Sequence, residues 1–263
     1  MLLAVDCGNT QTTVGMLDDT GTIIHQWRMA TNVTDTKDQL HSRLYSYFTM
    51  FDMNLSQITH AAIASVVPVL SQEWQALMRS VLKDEPLLID TQVHCELTIA
   101  LDTPRELGAD RIANAVAAKT RYGAPVIVVD FGTATNIDVV DATGAFVGGA
   151  IMPGLMLSAQ ALFSRAAKLS SVPLIAPRQA LGSNTEAAVQ SGLILGCTAM
   201  VEGLVGRIQT ELSERNPGAP RATVVATGGL AKTIAQTTTL FDFVDADLTI
   251  YGIYQIWKQH QQH

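Results

Sequence analysis

The chain has 263 residues, of which 48% are hydrophobic and 16% are charged, and its formal net charge is −7. This length and composition indicate a globular protein with one large or two small domains, and they exclude a disordered chain. The negative charge disfavours nucleic acid as a partner, because phosphate backbones repel an acidic surface.

The apolar stretches and the cysteines bear on cellular location. No basic region precedes the apolar N-terminus, and the uncharged stretch 187–201 is shorter than the roughly 20 apolar residues of a membrane span. We therefore expect neither export nor a membrane segment. The three cysteines, Cys7, Cys95 and Cys197, are far apart, which disfavours a disulfide framework or a zinc site and favours the cytoplasm.

The first predicted elements form a β-meander. Leu2–Val5 is an apolar strand, the turn Asp6-Cys7-Gly8 follows it, a second strand ends at the turn 18–21, and a third strand begins near Ile23. Helical spacing and short apolar runs predict the rest of this half. The predicted helices are 36–51, 71–82 and 110–122, and the predicted strands are 61–67 and 86–89.

The second half begins with a repeat of this meander. Val126–Val129 is again an apolar strand, the turn Asp130-Phe131-Gly132 follows it, and a second Asp-rich turn lies at 141–144. The pattern then predicts a helix over 154–169, a long helix that begins with the capping box Ser183-x-x-Glu186, and a strand over 223–226. We therefore predict two α/β halves, residues 1–122 and 123–263.

The turn Asp6–Thr13 is suited to a phosphate group. Gly8 permits close approach of a ligand to the backbone, the threonines add hydroxyl donors, and Asp6 can hold a hydrated Mg²⁺. A plain hairpin in which Asp6 caps its own turn is the alternative. The turn Asp130–Asn136 offers the same chemistry, and its alternative is a structural relic of the repeat.

Two further segments complete the candidate site. The strand 223–226 runs into Gly228-Gly229, where a flat nucleoside can lie against the backbone. Gly108-Ala109-Asp110-Arg111 begins a helix, and here Asp110 can act as a general base while Arg111 binds a carboxylate or the transferring phosphoryl group. Simple helix capping is the alternative for Asp110.

The paired Asp-x-Gly turns, the Gly-Gly turn and the two meanders resemble the superfamily of acetate and sugar kinases, heat-shock chaperones and actin. Within it, the chain is similar to the type III pantothenate kinases over nearly its whole length. The segments that carry this resemblance are Asp6–Thr10, Pro104–Arg111, Asp130–Thr135, Gly148–Gly154 and Gly182–Thr185. The resemblance implies two ribonuclease-H-like (actin-like ATPase) halves, each a mixed sheet with flanking helices, and an active-site cleft between them.

The resemblance also implies the activity and the roles of the residues. The reaction is ATP-dependent phosphorylation of pantothenate to 4′-phosphopantothenate, the first step of coenzyme A biosynthesis. Asp110 would be the catalytic base, and Asp130 would hold a monovalent cation, K⁺ or NH₄⁺. The implied contacts to ATP are Asp6, Cys7, Gly8, Asn9, Thr10, Gln11, Thr12, Thr13, Thr133, Gly228 and Gly229. The implied contacts to pantothenate are Gly108, Ala109, Asp110, Arg111 and Thr185, the last on a helix that faces the partner of a homodimer.

One segment departs from the family pattern. Relatives carry Tyr-x-Asn-Pro where this chain has Leu101-Asp102-Thr103-Pro104, so the Tyr hydroxyl and the Asn amide are absent. Two alternatives remain open at this point: a kinase of the same superfamily that acts on another hydroxyl-bearing metabolite, and a regulatory protein that binds ATP without turnover.

Overall fold

The structure of the chain is a computed structural model that describes residues 1–165 and 172–262. The chain forms two compact α/β units, Met1–Ala117 with Asp247–His263, and Ala118–Ala246. The predicted division into residues 1–122 and 123–263 is wrong at the C-terminus, because the last helix belongs to the first unit.

The predicted elements occur in the predicted order, together with others that the sequence did not predict. The strands are β1 (Leu2–Cys7), β2 (Gln11–Leu17), β3 (Ile23–Ala30), β4 (His60–Ser65), β5 (Leu87–Ile89), β6 (Thr98–Ile99), β7 (Val126–Phe131), β8 (Ala134–Val140), β9 (Ala145–Pro153), β10 (Thr223–Thr227) and β11 (Phe243–Val244). The helices are α1 (Lys37–Met50), α2 (Pro68–Val81), α3 (Ala109–Tyr122), α4 (Leu155–Arg165), α5 (Thr185–Gln190), α6 (Gly196–Arg215), α7 (Ala231–Ala235) and α8 (Leu248–His260).

The first unit is built on a mixed sheet with the strand order β3-β2-β1-β4-β5. The strands β1, β2 and β3 form the predicted antiparallel meander, whereas β4 and β5 run parallel to β1. The helices α1 and α2 contribute Leu44, Phe48 and Trp74 to a core that also contains Val5 and Ile63 of the sheet. This unit buries its own apolar face, as a domain of this size requires.

The helix α8 joins the first unit through close contacts at two glycines. A Cβ at Gly252 would lie 1.9 Å from the carbonyl oxygen of Ala113 in α3, and a Cβ at Gly15 of β2 would lie 2.6 Å from Cγ2 of Ile250. The hydroxyl of Tyr254 donates to the carbonyl oxygen of Asp19 at 2.9 Å. These contacts explain why the C-terminal residues fold with the first unit.

The second unit repeats the meander. The strands β7, β8 and β9 are antiparallel, and β10 and β11 continue the sheet in parallel with β7. The core of this unit contains Phe131, Ile137 and Ile234 together with one face of α6, including Val201 and Val205.

The repeat extends to individual hydrogen bonds in the second turn of each meander. Oδ1 of Asp18 accepts from the N–H and the hydroxyl of Thr20, and Oδ1 of Asp141 accepts from the same two groups of Thr143. The glycine that follows each threonine has a positive φ, 85° at Gly21 and 82° at Gly144. The two halves therefore share an Asp-x-Thr-Gly turn as well as a strand order.

The long helix differs from the prediction at its start. Its N-cap is Asn184, whose side chain accepts from the N–H of Ala187 at 2.9 Å, so the predicted capping box at Ser183 is wrong. Asn184 has the extended backbone conformation of an N-cap, and its side-chain oxygen reaches the third helical N–H. A π-helical segment, Ser191–Leu195, interrupts the helix before α6 begins.

Two other expectations concern helices of the second unit. The predicted helix 154–169 is present as α4, and its last four residues lie outside the described residues. In the described part of the chain, one helical stretch, Thr185–Arg215, is long and apolar enough to cross a membrane. Core helices meet the same criterion, and the buried residues Ile194, Val201 and Val205 of this stretch pack in the core of the second unit.

Candidate active site

The first turn is a tight hairpin between β1 and β2. The N–H of Gly8 donates to the carbonyl oxygen of Gln11 at 3.1 Å, and a Cβ at Gly8 would lie only 3.0 Å from the same oxygen. Asn9, Thr10 and Gln11 are exposed. The tip of this turn is therefore accessible to a ligand, as the sequence predicts.

The strand register divides the residues beside the tip between two faces of the sheet. Cys7 pairs with Thr12 and both face the core, whereas Asp6 pairs with Thr13 on the opposite face. Thr12 is 2% exposed, and its hydroxyl lies 3.5 Å from the Cys7 thiol, whose pKa is raised by burial. The side chains of Cys7 and Thr12 therefore support the turn, while Asp6 and Thr13 lie on the other face.

The predicted base lies at the second position of α3. Oδ1 of Asp110 accepts from the N–H of Arg111 at 2.8 Å. A Cβ at Gly108 would lie 2.6 Å from this oxygen, so glycine is the residue that leaves room for the carboxylate. Burial raises the pKa of Asp110, and the hydrogen bond and charge of Arg111 oppose that rise. A carboxylate with a raised pKa is a stronger proton acceptor than an exposed one.

Val66, directly after β4, brings the first turn and the segment Gly108–Arg111, which contains the predicted base, to the same edge of the sheet. Its N–H donates to the carbonyl oxygen of Cys7 at 3.1 Å, and its Cγ1 would lie 3.4 Å from a Cβ at Gly108. Because β1 and β4 are parallel, both end at this edge. The structure thus places Gly108–Arg111 beside the end of the strand that leads into the first turn.

The second turn and the Gly-Gly turn also meet, in the second unit. Asp130 and Thr227 are neighbours in the parallel pair β7 and β10. Gly228 has a φ of 90°, and a Cβ there would lie 2.5 Å from Oδ1 of Asp130. The Asp130 carboxylate therefore lies directly against the backbone at Gly228, next to the exposed Gly229.

Thr133 and Thr185 are the remaining predicted contacts. Thr133 is exposed at the tip of the second turn, and the start of α4 lies against it, since a Cβ at Gly154 would lie 2.1 Å from the Thr133 carbonyl oxygen. Thr185 is exposed at the first position of α5. Both are placed where a ligand can reach them from solvent.

The acidic side chains suit a cation that also binds phosphate. Among the described residues, no group of three or more His, Cys, Asp or Glu side chains could hold a metal ion. A hydrated Mg²⁺ needs only one or two carboxylates when substrate phosphates supply other ligands. Asp6 beside the first turn fits that requirement.

Two residues that support the site were not predicted from the sequence. Thr31 bonds to the first turn from the end of β3, and Val66 joins that turn to the base segment. Neither belongs to a recognisable motif, because each acts through a contact between segments distant in sequence. The strand pattern around residues 61–67 could have placed Val66 at the end of a strand, but not beside Gly108.

The two meander-based α/β units and their polar turns define an actin-like fold of the kind found in sugar kinases. Solved structures of several other proteins share this fold. A protein assigned to the Baf family of transcriptional activators from Campylobacter jejuni has a TM-score of 0.63 and 17% identity, over 99% of this chain and 100% of that one. A protein assigned as a 2-dehydro-3-deoxygalactonokinase from Sinorhizobium meliloti has a TM-score of 0.53 and 13% identity, over 100% and 96%. A protein assigned as an N-acetylmannosamine kinase from Listeria monocytogenes has a TM-score of 0.53 and 11% identity, over 99% and 98%. At these identities the likeness shows the fold alone.

Sequence comparison identifies the family within this fold. The type III pantothenate kinase family pattern matches residues 2–207. A type III pantothenate kinase of Roseiflexus sp. (strain RS-1) is 43% identical over 99% of this chain and 100% of its own length. One from Paramagnetospirillum magneticum is 44% identical over 99% of this chain and 98% of its own length. The chain belongs to the type III pantothenate kinase family.

Proposed function

We propose that the chain phosphorylates pantothenate with ATP to give 4′-phosphopantothenate, the first step of coenzyme A biosynthesis. Within a chain of this family, the observation that carries the proposal is the arrangement at Val66. The N–H of this residue donates to Cys7 at the end of β1 and its side chain lies near Gly108, so the proposed phosphate-binding turn and the half-buried Asp110, the proposed base, share one sheet edge.

The reaction follows from these groups. The hydroxyl oxygen of pantothenate attacks the γ-phosphorus of ATP, the bond to the β,γ-bridging oxygen breaks, and ADP leaves. Asp110 accepts the hydroxyl proton, and its raised pKa suits that role. Arg111 binds the substrate carboxylate or the transferring phosphoryl group, which develops negative charge. Backbone N–H groups and hydroxyls of the first turn hold the phosphates, with Thr133 of the second turn as a further contact.

Two cations are part of the proposal. Asp6 would hold Mg²⁺, which would neutralise charge on the phosphates of ATP. Asp130 would hold K⁺ or NH₄⁺, because its carboxylate lies at Gly228 and offers the oxygen ligands that K⁺ takes in proteins. The nucleoside would lie on Gly228 and Gly229.

The remaining parts concern the substrate pocket and the assembly. We infer that the chain acts as a homodimer in which Thr185 lies near the partner and contacts pantothenate. Exposed apolar side chains on α4 and α6 support this inference: Met156, Leu157, Leu162 and Met200. We also infer a cytoplasmic enzyme with no nucleic-acid or membrane partner. The Leu101–Thr103 segment would line the pocket without the Tyr and Asn of relatives.

The test is ATP consumption by the purified protein with Mg²⁺ and pantothenate, first with K⁺ and then with Na⁺ in its place. We expect pantothenate-dependent turnover that falls when K⁺ is removed. Turnover that is independent of K⁺ would contradict the role of Asp130 alone. ATP binding without turnover of pantothenate would overturn the assignment of pantothenate as the substrate. The Leu101–Thr103 segment would then be the place where substrate specificity differs from that of relatives.

A further inference from the structure

Thr31 makes three hydrogen bonds to the first turn from the end of the edge strand β3. Its N–H donates to the carbonyl oxygen of Thr10 at 2.9 Å, and its hydroxyl donates to the carbonyl oxygen of Gly8 at 2.7 Å. The same hydroxyl lies 2.8 Å from the hydroxyl oxygen of Thr12. Thr31 thus contacts both sides of the hairpin turn.

The chemistry of these groups sets the direction of the bonds. A carbonyl oxygen can only accept, so the Thr31 hydroxyl uses its proton for Gly8. The Thr12 hydroxyl is then the donor to Thr31. Thr12 is 2% exposed, and its hydroxyl lies 3.5 Å from the Cys7 thiol. The loss of the Thr31 hydroxyl would therefore leave the buried Thr12 hydroxyl with the Cys7 sulfur, a weak acceptor, as its partner.

We propose that Thr31 is a positioning residue for ATP. Its hydroxyl and N–H hold the carbonyl oxygens of Gly8 and Thr10 in hydrogen bonds, and so keep two partial negative charges away from the phosphates. An anion-binding turn depends on this orientation, since it presents N–H groups to the ligand and turns its carbonyl oxygens away. This inference rests on the proposed function of the first turn, and assigns the turn's conformation to a residue outside it.

The substitution Thr31→Val tests the proposal, because valine has nearly the same shape and keeps the backbone N–H. We expect the Kd and the KM for ATP to rise about 5- to 10-fold, since one hydroxyl network is lost. The KM for pantothenate should change less than about twofold, because a substitution at one site usually has little effect on a separate site. Thr31→Ser restores the hydroxyl and should return the affinity for ATP to near the wild-type value.

The matched control is Thr59→Val. The Thr59 hydroxyl also donates to a backbone carbonyl, that of Met1 at 3.0 Å, at the opposite end of β1. A merely structural role of Thr31 would lower the melting temperature of both valine variants and leave the affinity for ATP unchanged. If Thr31→Val does not fold, Thr31→Ala, which fits the space, is measured against Thr31→Ser in the same way.

Three results would overturn the proposal. They are an unchanged affinity for ATP in Thr31→Val, an equal loss of affinity for both substrates, and a Thr31→Ser variant as weak as Thr31→Val. Direct measurement of the Kd for ATP separates this proposal from the function. Wild-type protein that binds ATP but does not use pantothenate would overturn the proposed function and leave the Thr31 comparison decisive.

Discussion

The environment of the Asp110 carboxylate has opposing effects on its pKa. Burial raises its pKa above the ordinary value of 3.8, and the N–H and charge of Arg111 lower it. The folded protein therefore holds this proton more tightly than the unfolded chain. The resulting penalty on stability is absent below pH 3.8 and develops as the pH rises through the folded-state pKa. A carboxylate that is unfavourable for folding at neutral pH is consistent with the proposed catalytic role.

This environment predicts a pH dependence. We expect kcat/KM to fall as the pH is lowered through the raised pKa of Asp110, because the protonated carboxyl cannot accept a proton. Asp110→Asn should abolish turnover, leave ATP binding largely intact, and be at least as stable as wild type at pH 7. Kinetics over a pH series and thermal unfolding measure these effects.

Asp38 provides a matched control for that prediction. It occupies the second position of α1, as Asp110 does in α3, but its side chain is 87% exposed. Asp38→Asn should leave turnover unchanged, and it should also leave the fall of kcat/KM at low pH unchanged. Near-normal turnover of Asp110→Asn would show that another group is the base, and a clear loss of stability would contradict the burial penalty.

At the scale of elements, the sequence predicts most strands and helices because their signals are local. The apolar runs of β1 and β7, the spacing of Leu40, Leu44 and Phe48 in α1, and Gly123 after α3 all lie within their own segments. Each of these predicted elements is confirmed within a few residues of its bounds.

Other features of the structure were not predicted from the sequence. The helix α8 was not predicted, although its buried residues Ile250, Ile253 and Tyr254 have helical spacing. Its N-cap Asp247 also makes no capping hydrogen bond through its side chain. In the candidate site, the motifs predicted the turns and proposed Asp110 as the base, whereas the contacts at Val66 and Thr31 depend on tertiary pairing.

The start of α5 permits a direct test of capping. Asn184 caps the helix, and the neighbouring Ser183 is outside it. Asn184→Ala should lower the free energy of unfolding by about 1 kcal/mol, because the N–H of Ala187 loses its acceptor. Ser183→Ala should change it by less than about 0.5 kcal/mol. Denaturant unfolding of both variants decides between the two residues, and equal effects would contradict the assignment of Asn184.

At the scale of the whole molecule, the division of the chain is set by its last helix. The first unit uses residues from both ends of the sequence, and the second unit is a continuous segment between them. The first unit can therefore complete its fold only after the C-terminal residues are present. A truncation before Asp247 would remove a helix from the first unit and leave the second unit with all of its own residues.

The contact between α8 and α3 predicts that glycine-to-alanine substitutions in two different helices have different effects on stability. Gly252→Ala places a Cβ 1.9 Å from the Ala113 carbonyl oxygen, so the helices must separate, at a cost of about 1–3 kcal/mol. Gly206→Ala in α6 meets no atom within 4 Å and should be neutral or stabilising by up to about 1 kcal/mol. Chemical denaturation measures both, and similar values for the two variants would contradict the packing of α8.

The matching turns at Asp18 and Asp141 have a consequence for the origin of the chain. In both, one carboxylate oxygen accepts from a threonine two residues later, and a glycine of positive φ follows. Neither turn belongs to the proposed site, so the needs of catalysis do not explain their likeness. Such agreement is expected of tandem copies of one ancestral gene segment. On this view the two units began as equals and later diverged in sequence, one acquiring Asp110, the proposed base, and the other the glycines after β10.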